Sequence, residues 1–183
     1  MTDIVHFGEG SGVVKYRYII SSTRLTNPSI TISNSIEVTG KATGAGSFAI
    51  SDLGSSRYIY VAAEDLVGNI SEVQEITIPT YTVTYDYATN GGTSATKTSE
   101  ELNYGNPVDL TVTATKTGYT FVGWNTNKAA TTKLDTLTMS NSNITVYVIF
   151  RANTYTVKYN ANGATAGSTA KSTHTYDLSK NLT

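Results

Sequence analysis

The residues that could support catalysis are few and widely spaced. The two histidines, His6 and His174, lie near opposite ends of the 183-residue chain. For each of them a surface or turn position is a simpler interpretation than a general base or a metal ligand. Glu100 and Glu101 could form a carboxylate pair, but adjacent residues of a strand point to opposite faces. We therefore interpret the two glutamates as part of a solvated loop and not as an acid and base.

Two further groups of residues raise the question of metal binding or covalent chemistry. Glu64, Asp65 and Asn69 carry oxygen atoms that could bind calcium, but their spacing is not that of a regular calcium loop and is typical of a turn. Lys15 or Lys41 could supply the amine of an isopeptide bond, but no motif selects a partner for either. Because no nucleophile is paired with a base, the sequence predicts a protein that is not an enzyme, with no cofactor and no metal site.

Composition and charge narrow the possible partners. The 13 basic and 14 acidic residues are scattered and give a formal net charge of -1, unlike the basic patch of a nucleic-acid-binding protein. The chain has no cysteine, which excludes disulfides and thiolate metal sites. It has no apolar run near the roughly 20 residues that cross a bilayer, and no leader pattern at its start. We expect no nucleic-acid partner and no membrane insertion in this chain, and an export signal, if used, outside it.

The abundance of Thr, Ser, Gly, Tyr, Val and Ile predicts strands and tight turns, and hence a mainly β protein. Alternation over residues 13–20 predicts a strand with Val14, Tyr16, Tyr18 and Ile20 on its core face. Further strands are predicted at 29–33, 35–39 and 47–51, and a hairpin turns at 67–69. The final hairpin, with its alternating tyrosines and Gly-Asn-x-Ser turn, resembles the last two strands of fibronectin type III-like and bacterial immunoglobulin-like domains. This resemblance implies a β-sandwich over residues 1–79.

The sequence Gly-Tyr-Thr-Phe-Val-Gly-Trp at residues 118–124 contains the only tryptophan of the chain. Strict alternation predicts Tyr119 and Phe121 on one face of a strand and Trp124 on the other, with the large rings buried. Gly118 and Gly123 would let the backbone pass close beneath those rings. We interpret this segment, which we call the aromatic motif, as the core of a second module.

Together with Tyr81, Tyr85 and Gly91 upstream, the aromatic motif resembles the internalin-type B repeat, also called the Listeria-Bacteroides repeat. The Tyr-Thr-Val-x-Tyr start of this module recurs 74 residues later, and Tyr176 corresponds to Tyr104 at a spacing of 72. The resemblance implies a β-grasp-like repeat over residues 80–152 and an incomplete second repeat over 153–183. Lacking an aromatic motif of its own, the second copy is expected to be a loose hairpin or disordered.

The same resemblance implies a non-catalytic segment of a bacterial secreted or cell-surface protein. We expect repeat stalk or adhesin modules that project or support ligand binding, located outside the cell, at the cell surface or in the cell wall. The alternative is an accessory module of a larger secreted protein or hydrolase that binds carbohydrate or a host protein. Host or cell-wall glycans and surface proteins are the partners to test. Fold does not choose between these functions.

Overall fold

The computed structural model describes residues 3–6, 13–39, 47–50, 53–163 and 165–182. These residues form strands and turns without a helix, which confirms the mainly β prediction for this part of the chain. The strands are β1 (Asp3–His6), β2 (Val13–Ser21), β3 (Ile36–Thr39), β4 (Ser47–Ile50), β5 (Tyr58–Asp65), β6 (Gln74–Thr77), β7 (Thr80–Asp86), β8 (Ser94–Ala95), β9 (Ser99–Asn103), β10 (Ala114–Thr115), β11 (Tyr119–Asn125), β12 (Ile144–Ala152), β13 (Thr154–Val157) and β14 (Ser172–Thr175).

The chain divides into two compact units. The first unit comprises Met1–Tyr81, Glu101–Asn106 and Thr138–Ser142. The second unit comprises Thr82–Glu100, Pro107–Leu137 and Asn143–Thr183. The first unit therefore includes two short segments from the middle of residues 80–152, the range predicted to be one repeat.

An antiparallel sheet in the order β3-β2-β5-β6 forms the centre of the first unit. Alternating residues of its strands supply two buried clusters, one on each face. One cluster contains Tyr16, Tyr18, Ile50, Ile59, Val61 and Ile78, and the other contains Ile30, Tyr60 and Ala62. Strand β4, which pairs with β1, contributes Ile50 to the first cluster. The two sheets of this unit therefore pack against each other.

Two local predictions for the first unit are wrong. A β-bulge between Val13 and Lys15 places Val13, and not Val14, against the buried cluster, because one extra residue reverses the alternation. Residues 29–33 form a loop in place of the predicted strand. The Asn34 side chain stabilises this loop by accepting from the Thr31 amide at 2.8 Å and donating to the Ser29 carbonyl at 2.8 Å. Such side-chain bonds compete with strand pairing.

The strands of residues 80–152 form a sheet in the order β11-β12-β7-β9. Strand β12 is antiparallel to β11 and parallel to β7, with Ile144 opposite Val83. The predicted central position of residues 144–150 is confirmed. Val146 and Val148 of β12 are fully buried. The first and last long strands of the repeat thus lie side by side at its centre.

The chain segment that begins with the recurring Tyr-Thr-Val-x-Tyr sequence forms a hairpin in the second unit. Strand β13 pairs antiparallel with β14, with Thr154 opposite Thr175 and Val157 opposite Ser172. Half of the eight strand residues are exposed and only Ser172 is buried, as expected for a segment that carries little apolar surface of its own. Whether this hairpin is loose in solution stays a prediction that amide hydrogen exchange can test.

Candidate functional site

The aromatic motif lies on β11, and its tryptophan is the centre of the second unit. Trp124 is 0% exposed, and its indole Nε1 donates a 2.6 Å hydrogen bond to the Val112 carbonyl. Its ring meets the rings of Tyr85 and Phe121 edge to face, with centroids 5.2 and 6.0 Å away. This geometry is favourable for aromatic pairs. The role of Trp124 is therefore to hold the core, where it is not available to a ligand.

The predicted faces of the aromatic motif are corrected by a β-bulge. Phe121 lies opposite Phe150, but Gly123 lies opposite Ile149, so one residue of β11 has no partner. The bulge reverses the alternation and brings Trp124 to the same side as Phe121. Gly123 has a φ of +149°, and a Cβ added to it would lie 2.7 Å from the Cβ of Lys133. A lone glycine inside a strand was the sequence signal for this bulge.

The other residues of the predicted signature have separate roles. Tyr85 is buried, and its hydroxyl donates to Glu100 at 2.5 Å and lies 2.9 Å from the Asp109 carbonyl. Burial and the Glu100 carboxylate raise the pKa of Tyr85 far above its usual range. Tyr81 is half-buried at the start of β7. Gly91 takes a left-handed φ of +78° in a turn, which glycine adopts without strain.

The two adjacent glutamates lie in β9 and not in the predicted solvated loop, and they do not form a carboxylate pair. Glu100 binds the Tyr85 hydroxyl and the Lys97 ammonium, whereas Glu101 pairs with Arg57 at 3.2 Å. Lys97 also lies 3.6 Å from Asp109.

The directions of the pKa shifts of Lys97, Glu100 and Asp109 all favour the charged forms of these groups. The hydrogen bond that Lys97 donates to Glu100 raises the pKa of Lys97, and the hydrogen bonds that Thr111 donates to Asp109 lower the pKa of Asp109. Burial alone would raise the pKa of Glu100, but bonds from Lys97 and Tyr85 outweigh it and lower that pKa. The Lys97 ammonium is thus paired with the Glu100 and Asp109 carboxylates. Because a charged ammonium is not a nucleophile, we interpret these three residues as ion pairs and not as a catalytic group.

The remaining chemical candidates are held in structural contacts. Asp65 accepts from the amides of Val67 and Asn69 at 3.0 and 2.8 Å, which closes the predicted turn. Buried Glu64 pairs with buried Arg17. The described residues contain no group of three or more His, Asp or Glu side chains placed to hold a metal ion.

The histidines and lysines singled out from the sequence are dispersed. His174 shares a 2.8 Å hydrogen bond with Ser172. Lys15 pairs with Glu37 at 3.1 Å. His6 is the last residue of β1, with its side chain outside the described part of the chain, and Lys41 lies outside the described residues altogether.

A contact that the sequence did not predict connects the start of β11 with the hairpin formed by β13 and β14. The ring of Tyr176 lies directly on the Cα of Gly118, where a Cβ would overlap three ring atoms. Tyr176 also meets Tyr119 edge to face at 5.7 Å, and the Tyr119 hydroxyl donates to Asp177 at 3.1 Å. The Asn153 amide donates to the Gly118 carbonyl at 2.9 Å. We call these five residues the joint.

A groove runs beside the joint in the second unit, with a volume of about 400 Å³. Aromatic Tyr119 and Phe150 and basic Lys116 and Arg151 are among its lining residues. The Lys116 ammonium lies 4.0 Å from the centre of the Tyr119 ring and donates to the Asn90 carbonyl at 3.1 Å. Lys116 is thereby largely engaged, and Arg151 is the exposed cation of the groove.

Comparison with known families assigns the middle of the chain. Residues 81–148 match the family described as the Listeria-Bacteroides repeat domain. This confirms the predicted repeat over that range, which includes the aromatic motif. Such repeats occur in extracellular or surface proteins of bacteria and are generally non-enzymatic. No solved structure matches the chain. Among the described residues, no helix is long and apolar enough to span a membrane.

Proposed function

We propose that this chain is a non-catalytic segment of a secreted or cell-surface bacterial protein, in which tandem β modules form a stalk. The modules are a β-sandwich of the immunoglobulin or fibronectin type III kind at residues 1–79, a B-type repeat at 80–152 and the start of a second repeat at 153–183. The stalk would hold a ligand-binding part of the protein away from the cell surface. The repeat match over residues 81–148 supports the bacterial surface setting.

The connection between the two repeat copies carries this proposal. Strand β12 ends at Ala152 and β13 begins at Thr154, so Asn153 is the whole linker. The Asn153 amide donates to Gly118, and its carbonyl accepts from Tyr176 at 2.8 Å. A flexible linker needs several residues free of such bonds. A connection of this kind favours a stiff array in which each repeat contacts its neighbour.

The stalk can be tested by measuring length against copy number. Chains in which residues 80–153, including the linker Asn153, occur once, twice and three times would be compared by small-angle X-ray scattering. For a stiff stalk the maximum dimension grows by a constant step per copy, whereas flexibly linked modules grow roughly as the square root of the number of links. Square-root growth would exclude a stiff stalk.

The groove supports a second candidate, an accessory module that binds glycan or a host protein. Half-buried aromatic rings beside an exposed cation are suited to sugars and to protein surfaces. The test is a screen of the full chain against glycans and host matrix proteins. Saturable binding that is lost in Arg151→Ala and kept in Arg24→Ala, an exposed arginine of the first unit, would support this candidate. Absence of any saturable binding would remove it.

A further inference from the structure

The two copies of the repeat share a turn that had no role assigned from the sequence. In the first copy the Asn106 amide donates to the Asn103 carbonyl at 3.2 Å, and in the second copy the Leu178 amide donates to Thr175 at 3.2 Å. These positions are 72 residues apart, the spacing that relates Tyr104 to Tyr176. We call these four-residue segments, 103–106 and 175–178, the tyrosine turns.

The third residue of each tyrosine turn has a left-handed backbone. The φ of Gly105 is +83° and that of Asp177 is +58°. Glycine adopts this conformation freely, and Asp is among the few other residues that tolerate it. The two copies therefore build the same turn with different residues, which shows that the backbone shape is what they have in common.

Each tyrosine turn contacts backbone that lies just before a long strand. Within the first unit, Asn103 is 4% exposed and its side-chain amide donates to the carbonyls of Gly54 and Ser56 at 3.1 and 2.8 Å. Asn106 donates to the Gly54 carbonyl at 2.6 Å. These acceptors precede β5. A buried amide with both donors satisfied fixes a contact strongly, because losing the acceptors would leave it unpaired.

Within the second unit, the contact is made by the tyrosine ring itself. Tyr176 covers Gly118, which immediately precedes β11. Glycine is needed at position 118 for two reasons. Its φ of +77° is a backbone conformation that other residues rarely adopt, and a Cβ would overlap the Tyr176 ring. Asp177 adds the hydrogen bond from Tyr119. The first two residues of the Gly-Tyr-Thr-Phe sequence thus act outside the core that the rest of the motif builds.

We propose that the tyrosine turn is the docking element of the repeat, and that Gly118 with Tyr119 forms a socket for the tyrosine turn of another copy of the repeat. This inference rests on the proposed stalk, because it identifies the surfaces through which successive copies in the stalk contact each other. Docking explains why the same turn recurs in both copies and contacts the residues before a strand in each case. Docking by an element internal to the repeat allows one socket to serve every junction between successive copies.

Nuclear magnetic resonance of the full chain tests the contact directly. Protons over the face of an aromatic ring resonate upfield, so the Gly118 α-protons should lie well upfield of ordinary glycine values. The shift should disappear in Tyr176→Ser and persist in Tyr176→Phe, which keeps the ring. It should also persist in Asp177→Gly, which gives the second turn the residue of the first. An ordinary Gly118 shift in the unchanged chain would overturn the inference.

Hydrogen exchange gives a second readout that does not depend on the shift. Loss of one edge-to-face aromatic contact should speed exchange of the Tyr176 amide by about three- to tenfold in Tyr176→Ser. Trp124 fluorescence reports whether the core of the repeat stays folded in each variant. Unchanged exchange at Tyr176 with a folded core would contradict docking by the ring.

The chain with residues 80–153 duplicated, so that Asn153 is kept at each junction, tests the identity of the partner. There the Tyr104 turn of the added copy should reach the preceding Gly118 and produce the same upfield shift. If that Gly118 keeps an ordinary shift while the scattering dimension still grows by constant steps, docking through the tyrosine turn is wrong and the stalk stands. If the shift is present but growth follows the square root, the docking stands and the stiff stalk is wrong.

Discussion

Replacing Trp124 with alanine should unfold the second unit and leave the first unit folded. The side chain is 0% exposed, and its described partners Val112, Tyr85 and Phe121 all belong to the second unit. The substitution removes the largest fully buried side chain in the described part of the protein. Because the tryptophan and these partners share one core, we expect the loss to stay within the second unit.

The expected cost approaches the whole stability of a small module. Truncating a buried tryptophan to alanine costs about 3 to 5 kcal/mol. The Val112 carbonyl also loses the indole donor at 2.6 Å, and an unsatisfied buried acceptor costs about 1 to 3 kcal/mol. These terms overlap, so we expect the upper part of the first range. A module of this size has a total stability of roughly 5 to 10 kcal/mol, so the variant should be close to its unfolding midpoint.

Hydrogen exchange followed by mass spectrometry of the full chain is the appropriate assay, because Trp124→Ala removes the only fluorescent tryptophan. Peptides from β11 and β12 should lose protection, whereas peptides from β2 and β5 should keep it. Trp124→Phe retains a ring but leaves Val112 without its donor, so its loss of protection should be intermediate. Unchanged protection of β11 in the alanine variant would refute the core assignment. Equal loss in β2 and β5 would refute the separation of the modules at residues 79 and 80.

Two further predictions concern acid stability and the bulge. The folded-state pKa of Glu100 is lowered from its ordinary value of 4.5. Ionised Glu100 therefore stabilises the fold above that pH, and this stabilisation is lost as the pH falls through the folded-state pKa. The stability of the second unit should fall less steeply with acid in Glu100→Gln, and an identical pH profile would contradict this. Gly123→Ala places a Cβ 2.7 Å from the Cβ of Lys133 at an unfavourable φ, so it should lower the melting temperature of the second unit. Gly68 in the first unit also has a positive φ, but open space surrounds it. Gly68→Ala should therefore lower the melting temperature of the first unit by less.

Much of the candidate site was predictable because it depends on local sequence patterns. The period of two identified β2, β5, β7 and β12, since alternating apolar residues on a strand reach one face. The recurrence of the Tyr-Thr-Val-x-Tyr sequence after 74 residues, with Tyr176 following Tyr104 by 72, predicted the second copy. The burial of Trp124 followed from its size and from the glycines beside it.

The side on which Trp124 packs and the contact made by Tyr176 were decided only by the tertiary structure. A single unpaired residue in β11 reverses every side chain that follows it, and whether a glycine produces such a bulge depends on the partner strand. The side chain of Asn103 and the ring of Tyr176 contact backbone atoms that are far away in sequence. Contacts to backbone carbonyls or to the Cα of a glycine produce no pattern of side chains in the sequence. The sequence therefore determined which strands and turns form. Long-range packing determined which atoms the turns contact.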